Sequence, residues 1–224
     1  MSEPILTATG IRKSYSLGRR SLDVLRGVDL TARRGEFVAL RGSSGAGKST
    51  LLHLLGGLDR PDCGDIRVCG FDLSKLSTTS LTEFRNRRLG FIFQAYHLLP
   101  ELDAVENAAL PARMARVPAT QAQAKAEDLL KRVGLGERFE HRPYELSGGE
   151  QQRVAIARCL INDPEVIFAD EPTGNLDTKT GAEVLELLLS LRAERGTTLI
   201  IATHDPAVAA RAERVVNLVD GLVA

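Results

Sequence analysis

Short runs of apolar residues, each ended by polar or glycine-rich residues, recur along the whole chain. Several have the length and β-branched content of strands, namely Ile5–Ile11, Val24–Thr31, Phe37–Leu40, Gly90–Phe93, Val166–Asp170, Thr198–Thr203 and Arg214–Val219. Between them, apolar residues recur at helical spacing in Lys48–Gly56, Thr120–Val133, Gly149–Ile161 and Thr180–Arg195. Strands that alternate with helices predict an α/β fold with a mostly parallel sheet.

Two regions depart from this alternation. The segment 95–161 is nearly all helical, so we interpret it as a helical subdomain inserted into a core formed by residues 1–94 and 162–224. The first strands carry aromatic and β-branched residues at short spacing, which predicts an antiparallel edge sheet beside the main sheet. The 224 residues are enough for one large domain of this kind.

A glycine-rich stretch, LRGSSGAGKSTLL, lies between a predicted strand and a predicted helix. Its spacing is G-x-x-x-x-G-K-S, in which glycines let several N–H groups face one anion at a helix N-terminus. We expect it to bind a nucleoside triphosphate, with Lys48 on the β- and γ-phosphates and the Ser49 hydroxyl on Mg²⁺. The predicted binding residues are Gly42, Ser43, Ser44, Gly45, Ala46, Gly47, Lys48, Ser49 and Thr50.

Two acidic residues end the apolar run VIFADEP. In a buried parallel strand, Asp170 would lie at the carboxyl end, beside the phosphate loop, and could hold Mg²⁺. Glu171 would then face the γ-phosphate and could orient or deprotonate the attacking water. The alternative is an acidic strand end that is simply solvated, and the phosphate loop favours the functional interpretation.

A serine and two glycines, Ser147, Gly148 and Gly149, begin the predicted helix of LSGGEQQRVAIARCL. Such a helix start either binds a second anion or is capped without a ligand. This stretch resembles the signature sequence of ABC-type ATPases, and the resemblance extends from Ile5 to Val219. It implies the ABC ATPase fold, ATP and Mg²⁺ as cofactors, ATP hydrolysis, and a head-to-tail homodimer whose signature closes on the γ-phosphate bound by the other copy.

Other positions match this family one by one. The resemblance implies that Tyr15 stacks on adenine and that Gln94 senses Mg²⁺, water and the membrane partner. It also implies that Asp177 belongs to a loop that crosses the dimer and that His204 contacts the γ-phosphate. Taken alone, Tyr15 and His204 would more often be packing residues.

The chain departs from the common family pattern at two places. Glu150 stands where many members have glutamine, and Gly174-Asn175 stands where Ser-Ala is common. Neither change removes a group that the chemistry requires.

Four stretches together resemble the lipoprotein-releasing and macrolide-exporter branch, namely STLLHLLGGLDRPDCGDI, RNRRLGFIFQAYHLLPELDAVENAALP, HRPYELSGGEQQRVAIARCL and ADEPTGNLD. This implies an ATPase that powers a separate membrane subunit, with lipoprotein release favoured because no fused membrane segment follows before Ala224. A related exporter and a division-associated ATPase are the alternatives. Permease subunits are expected to dock near Gln94–Glu106, where AYHLLPEL supplies apolar residues that could instead serve ordinary packing.

Charge and composition exclude other classes. Lys+Arg and Asp+Glu are both 29, which argues against a nucleic-acid partner. The three cysteines have no C-x-x-C spacing, so they indicate neither a disulfide framework nor a zinc site. No apolar run approaches the ~20 residues of a membrane span. The resemblance, together with the lack of a membrane span, implies a peripheral protein at the cytoplasmic face of the bacterial inner membrane. DNA-repair ATPases with this signature carry a long coiled coil, and no sustained heptads appear here.

Overall fold

The computed structural model describes residues 3–18 and 20–224. Its strands are β1 (Leu6–Leu17), β2 (Arg20–Ala32), β3 (Phe37–Arg41), β4 (Cys63–Val68), β5 (Phe71–Asp72), β6 (Leu89–Ile92), β7 (Val166–Asp170), β8 (Thr198–Thr203), β9 (Arg214–Val219) and β10 (Leu222–Val223). Its α-helices are α1 (Lys48–Leu55), α2 (Thr78–Arg88), α3 (Ala104–Met114), α4 (Ala119–Arg132), α5 (Gly148–Leu160), α6 (Thr178–Arg195) and α7 (Pro206–Ala209).

The main sheet has six strands in the order β10-β9-β3-β8-β7-β6. All neighbours in it are parallel except β10 and β9, which form an antiparallel pair. The carboxyl ends of β3, β7 and β8 therefore meet at one edge, which is where open α/β sheets bind ligands.

A second, antiparallel sheet has four strands in the order β2-β1-β4-β5. It is joined to the main sheet at β2, where the Arg26 N–H donates to the Gly221 carbonyl at 2.9 Å. This sheet positions Tyr15 of β1 and the residues of β2 that contact the phosphate loop.

The apolar strands of the main sheet separate two buried clusters. Neighbouring residues along one strand belong to opposite clusters, as Ile167 and Phe168 do on β7. Helices α3, α4, α5 and α6 cover the first face, whereas α1 and the antiparallel sheet cover the second. Because both faces are covered, the central strands β3, β7 and β8 are largely apolar, which is why they are conspicuous in the sequence.

The predicted α/β fold with an antiparallel edge sheet is confirmed, and the boundaries of the subdomains stay a prediction. The main differences are β1 and β2, which are longer than predicted, and β4 and α2, which were missed. Strand β4 buries only Ile66 and Val68, and α2 buries only Leu81 and Phe84. Such sparse apolar positions produce little periodic signal. Within residues 3–18 and 20–224, no helix has the length and apolar content that a membrane span needs.

Candidate nucleotide site

The glycine-rich loop joins β3 to α1, as its sequence predicted. A Cβ on Gly42 would lie 2.3 Å from the main-chain oxygen of Leu218, so only glycine fits there. Gly47 caps α1 with a φ of 99°, and a Cβ on it would lie 2.8 Å from the Leu25 side chain. These two glycines let the loop pass close to β9 and β2 and present its N–H groups in front of α1.

Lys48 occupies the first turn of α1 with only 7% of its side chain exposed. Its ammonium group donates to the carbonyls of Gly42 at 3.0 Å and Ser43 at 3.1 Å. The cation is therefore held over the mouth of its own loop, where an anion would meet it.

Ser49 and Asp170 come from α1 and β7, and the Ser49 hydroxyl donates to Asp170 Oδ1 at 2.9 Å. Burial raises the pKa of the Asp170 carboxyl above its ordinary value, against the hydrogen bond from Ser49. A hydroxyl and a carboxylate are hard oxygen ligands that suit Mg²⁺, and a cation beside Asp170 would offset the cost of its buried charge.

No cluster of three or more His, Cys, Asp or Glu residues able to hold a metal occurs in the described part of the chain. The donor set thus fits Mg²⁺ held chiefly by phosphate oxygens and water, because that ion typically takes only one or two protein carboxylates.

Glu171 begins the segment after β7 in the left-handed conformation, with a φ of 45°. Its N–H bonds to the Ala202 carbonyl of β8 at 2.9 Å, and its own carbonyl accepts from Gly174 at 3.0 Å. These bonds hold a backbone conformation that is costly for a residue with a side chain, as often found at functional sites.

The Glu171 carboxylate lies among groups from two other segments, the end of β8 and the start of α1. Its Oε1 accepts the main-chain N–H of His204 at 3.0 Å and lies 2.8 Å from His204 Nδ1. The same oxygen is 3.9 Å from Lys48 Nζ. The predicted catalytic pair Glu171 and His204 is therefore adjacent to the phosphate loop, while the His204 side chain remains 67% exposed.

Gln94 follows β6 and is joined to Asn175. Its Nε2 donates to Asn175 Oδ1 at 3.1 Å, while Asn175 Nδ2 donates to the Gln94 main-chain oxygen at 2.8 Å. Asn175 was not among the predicted site residues, although the sequence marked it as a departure from the family pattern.

The signature residues form a capped helix start. The Ser147 hydroxyl accepts the Glu150 N–H at 3.3 Å, and Glu150 accepts the Ser147 N–H at 2.8 Å. In the described residues, no hydrogen bond or ion pair joins Ser147, Gly148 or Gly149 to the phosphate loop.

Tyr15 lies on β1 with 38% of its surface exposed. Its hydroxyl donates to Asp59 Oδ2 at 3.0 Å, and Lys13 Nζ lies 5.1 Å from its ring centre. Burial and the bond to Asp59 raise the pKa of the Tyr15 hydroxyl. The phenol is anchored by these neighbours and leaves part of the ring accessible.

Asp177 caps α6 by accepting the N–H groups of Lys179 and Thr180, both at 3.1 Å. The bonds from Thr180 hold the pKa of the Asp177 carboxyl below its ordinary value. Its carboxylate is therefore an exposed, charged group at the end of the segment that begins with Glu171.

Sequence reasoning missed Gln152 on α5. This side chain is fully buried, and its Nε2 donates to the Pro172 carbonyl at 2.6 Å. It joins the helix that begins with the signature to the residue after Glu171. A polar residue on the buried face of a predicted helix was the signal that could have identified it.

The chain is similar to known proteins over almost its whole length. Residues 25–174 match the model of the family described as ABC transporter. The lipoprotein-releasing system ATP-binding protein LolD of Geobacter metallireducens is 50% identical over 98% of this chain and 97% of that protein. The macrolide export ATP-binding/permease protein MacB 1 of Aeromonas hydrophila is 52% identical over 100% of this chain, which spans only 34% of that protein.

A solved structure has the same fold. It is described as the dimeric, post-hydrolysis state of the ATP-binding cassette MJ0796 bound to ADP and Pi. Its TM-score is 0.90 at 40% identity, over 97% of this chain and 96% of that chain. This agreement extends from the motifs to the complete architecture.

Proposed function

Since the chain belongs to the ABC transporter family, we propose that it is an ATP-hydrolysing subunit that powers a membrane permease. The observation that carries the proposal is the convergence at one sheet edge of Lys48, Glu171 and His204. Glu171 Oε1 lies 3.9 Å from Lys48 Nζ and 2.8 Å from His204 Nδ1. The three side chains proposed as the phosphate-binding cation, the base and the γ-phosphate contact are thus adjacent.

In this mechanism the phosphate loop binds ATP, and Tyr15 stacks on the adenine. Lys48 exchanges the carbonyls of Gly42 and Ser43 for the β- and γ-phosphate oxygens, which carry full negative charge. Ser49, Asp170 and Gln94 would hold Mg²⁺, which would supply further positive charge to those oxygens.

Glu171 orients the attacking water and accepts its proton, while His204 holds the γ-phosphate. His204 also keeps Glu171 in place, because its main-chain N–H donates to the Glu171 carboxylate. The reaction releases ADP and phosphate. Lys48 and the N–H groups of the phosphate loop then lose the γ-phosphate that they bind together.

Two copies are proposed to sandwich ATP, with Ser147, Gly148 and Gly149 of one copy on the γ-phosphate bound by the other. Asp177 lies in the segment that would cross this interface. A dimer is supported by the related cassette MJ0796, whose structure is described as dimeric. Permease subunits would dock near Gln94–Glu106, at the cytoplasmic face of the inner membrane, and no nucleic acid takes part.

Release of lipoproteins is the proposed cargo function. Support comes from lipoprotein-releasing relatives in several bacteria, of which this chain covers 96–97% at 49–51% identity. Macrolide-type export is the second candidate, because MacB relatives are 51–52% identical.

The Glu171→Gln variant tests the hydrolytic role. Glutamine keeps an oxygen for the His204 N–H but removes the base, so ATP should still bind while turnover falls by about a hundredfold or more. Turnover is measured by phosphate release, and dimer closure with ATP by light scattering. Glu83→Gln on the exposed face of α2 is the matched control, and near-normal turnover in Glu171→Gln would exclude Glu171 as the base.

The same Glu171→Gln protein, loaded with ATP, tests the cargo assignment. It would be isolated with its partners from native membranes, and the partners identified by mass spectrometry. Membrane subunits with a large periplasmic domain that bring lipoproteins along are expected. An exporter permease with an outer-membrane channel would instead favour the second candidate.

A further inference from the structure

Gln94 and Asn175 hold each other by two hydrogen bonds across 81 residues of sequence. The Asn175 side chain donates to the main-chain oxygen of Gln94 at 2.8 Å and accepts from the Gln94 side chain at 3.1 Å. Asn175 thus binds both the backbone and the side chain of Gln94. Together the two bonds restrict the position of the Gln94 side chain and the rotation of its amide.

This pair determines which way the Gln94 amide faces. A main-chain carbonyl only accepts hydrogen bonds, so Asn175 must turn its Nδ2 toward the Gln94 backbone. Its Oδ1 is then the atom that meets the Gln94 side chain, and only Nε2 can donate to it. The Gln94 Oε1 consequently points away from Asn175 and is available to a cation or a water.

Gly174 provides the space for this arrangement. A Cβ on residue 174 would lie 3.1 Å from Gln94 Nε2, closer than side chains ordinarily approach. Gly174 and Asn175, which stand where Ser-Ala is common in the family, therefore both lie beside the Gln94 amide. Gly174 leaves room for it, and Asn175 bonds to it.

We propose that Asn175 is a positioning residue that presents the Gln94 amide oxygen to the nucleotide-bound divalent cation. The inference rests on the proposed function, in which Gln94 contributes to holding Mg²⁺. Amide oxygens are suitable ligands for such hard cations, whereas an inverted amide would present N–H groups to the metal.

The test compares the wild-type protein with Asn175→Ala. Mn²⁺ replaces Mg²⁺ as an electron paramagnetic resonance probe, and a non-hydrolysable ATP analogue is bound at saturation. Losing the two bonds frees the amide to rotate, so Mn²⁺ affinity should fall about three- to tenfold. Gln123→Ala is the control, because it removes an exposed amide from α4.

A double-mutant cycle shows whether Asn175 acts through Gln94. In a Gln94→Ala background, Asn175→Ala should cause no further loss of Mn²⁺ affinity. The side-chain amide NMR signals of Gln94, recorded without any cation, should shift in Asn175→Ala and stay unchanged in Gln123→Ala.

Unchanged Mn²⁺ affinity in Asn175→Ala, or an equal loss in the Gln94→Ala background, would overturn the positioning role. These outcomes would leave the proposed function intact if the wild-type protein hydrolyses ATP. Failure of the wild-type protein to bind the cation–nucleotide complex would overturn both.

Discussion

Asn107 offers a quantitative test of how the loop after Gln94 is held. This residue of α3 is fully buried, and its Oδ1 accepts the Leu99 N–H at 2.8 Å. Its Nδ2 lies 3.0 Å from each of the carbonyls of Leu99, Leu102 and Asp103. One amide therefore ties together the segment proposed to meet the permease.

The expected cost of Asn107→Ala follows from these contacts. Nδ2 has only two hydrogens to share among the three carbonyls, so it makes the equivalent of about two hydrogen bonds. With the bond that Oδ1 accepts, the Asn107 amide makes about three. At about 1 kcal/mol each, the free energy of unfolding should fall by about 3 kcal/mol. For a chain of this size, that corresponds to a decrease in Tm of about 6–12 °C.

Asn107→Asp has the same shape and separates hydrogen bonding from packing. A carboxylate still accepts the Leu99 N–H but opposes three carbonyls without a donor, so it should cost more than alanine. Urea unfolding followed by circular dichroism measures both variants, with Asn217→Ala on an exposed position of β9 as the control. A loss below about 0.5 kcal/mol in both variants would refute this account.

Two further predictions concern the phosphate loop and its supporting strand. Gly42→Ala should lower ATP-analogue affinity at least about tenfold, because its Cβ would meet the Leu218 oxygen at 2.3 Å; unchanged affinity by calorimetry would contradict this. Burial raises the pKa of the Glu36 carboxyl, but the hydrogen bonds from Arg214 and from the Arg33 N–H, together with the charges of both arginines, outweigh it and the net pKa is lowered. Its stabilisation is thus present above the ordinary glutamate pKa and lost as pH falls through the lowered value. At pH 7 the free energy of unfolding of the wild-type protein should exceed that of Glu36→Gln by about 1–2 kcal/mol. This difference should shrink below about pH 4.3, and a difference that does not change with pH would contradict the account.

Local patterns were sufficient for the fold class, the phosphate loop and the family. The glycines, Lys48 and Ser49 lie within a few residues of one another, so the chemistry they share is encoded by spacing alone. Strand β7 was equally clear, because burial on both faces makes every position up to Ala169 apolar. The family resemblance drawn from these motifs is confirmed, and the individual roles of the site residues stay predictions.

Contacts between distant segments could not be predicted in this way. Strand β4 is stabilised by pairing with β1 rather than by its own apolar residues, so its pattern carries little signal. The pairing of Gln94 with Asn175 requires β6 and β7 to lie side by side, because each residue follows one of these strands. Hydrogen bonds of this kind depend on which strands are neighbours, and strand order is a property of the packed chain rather than of any local pattern.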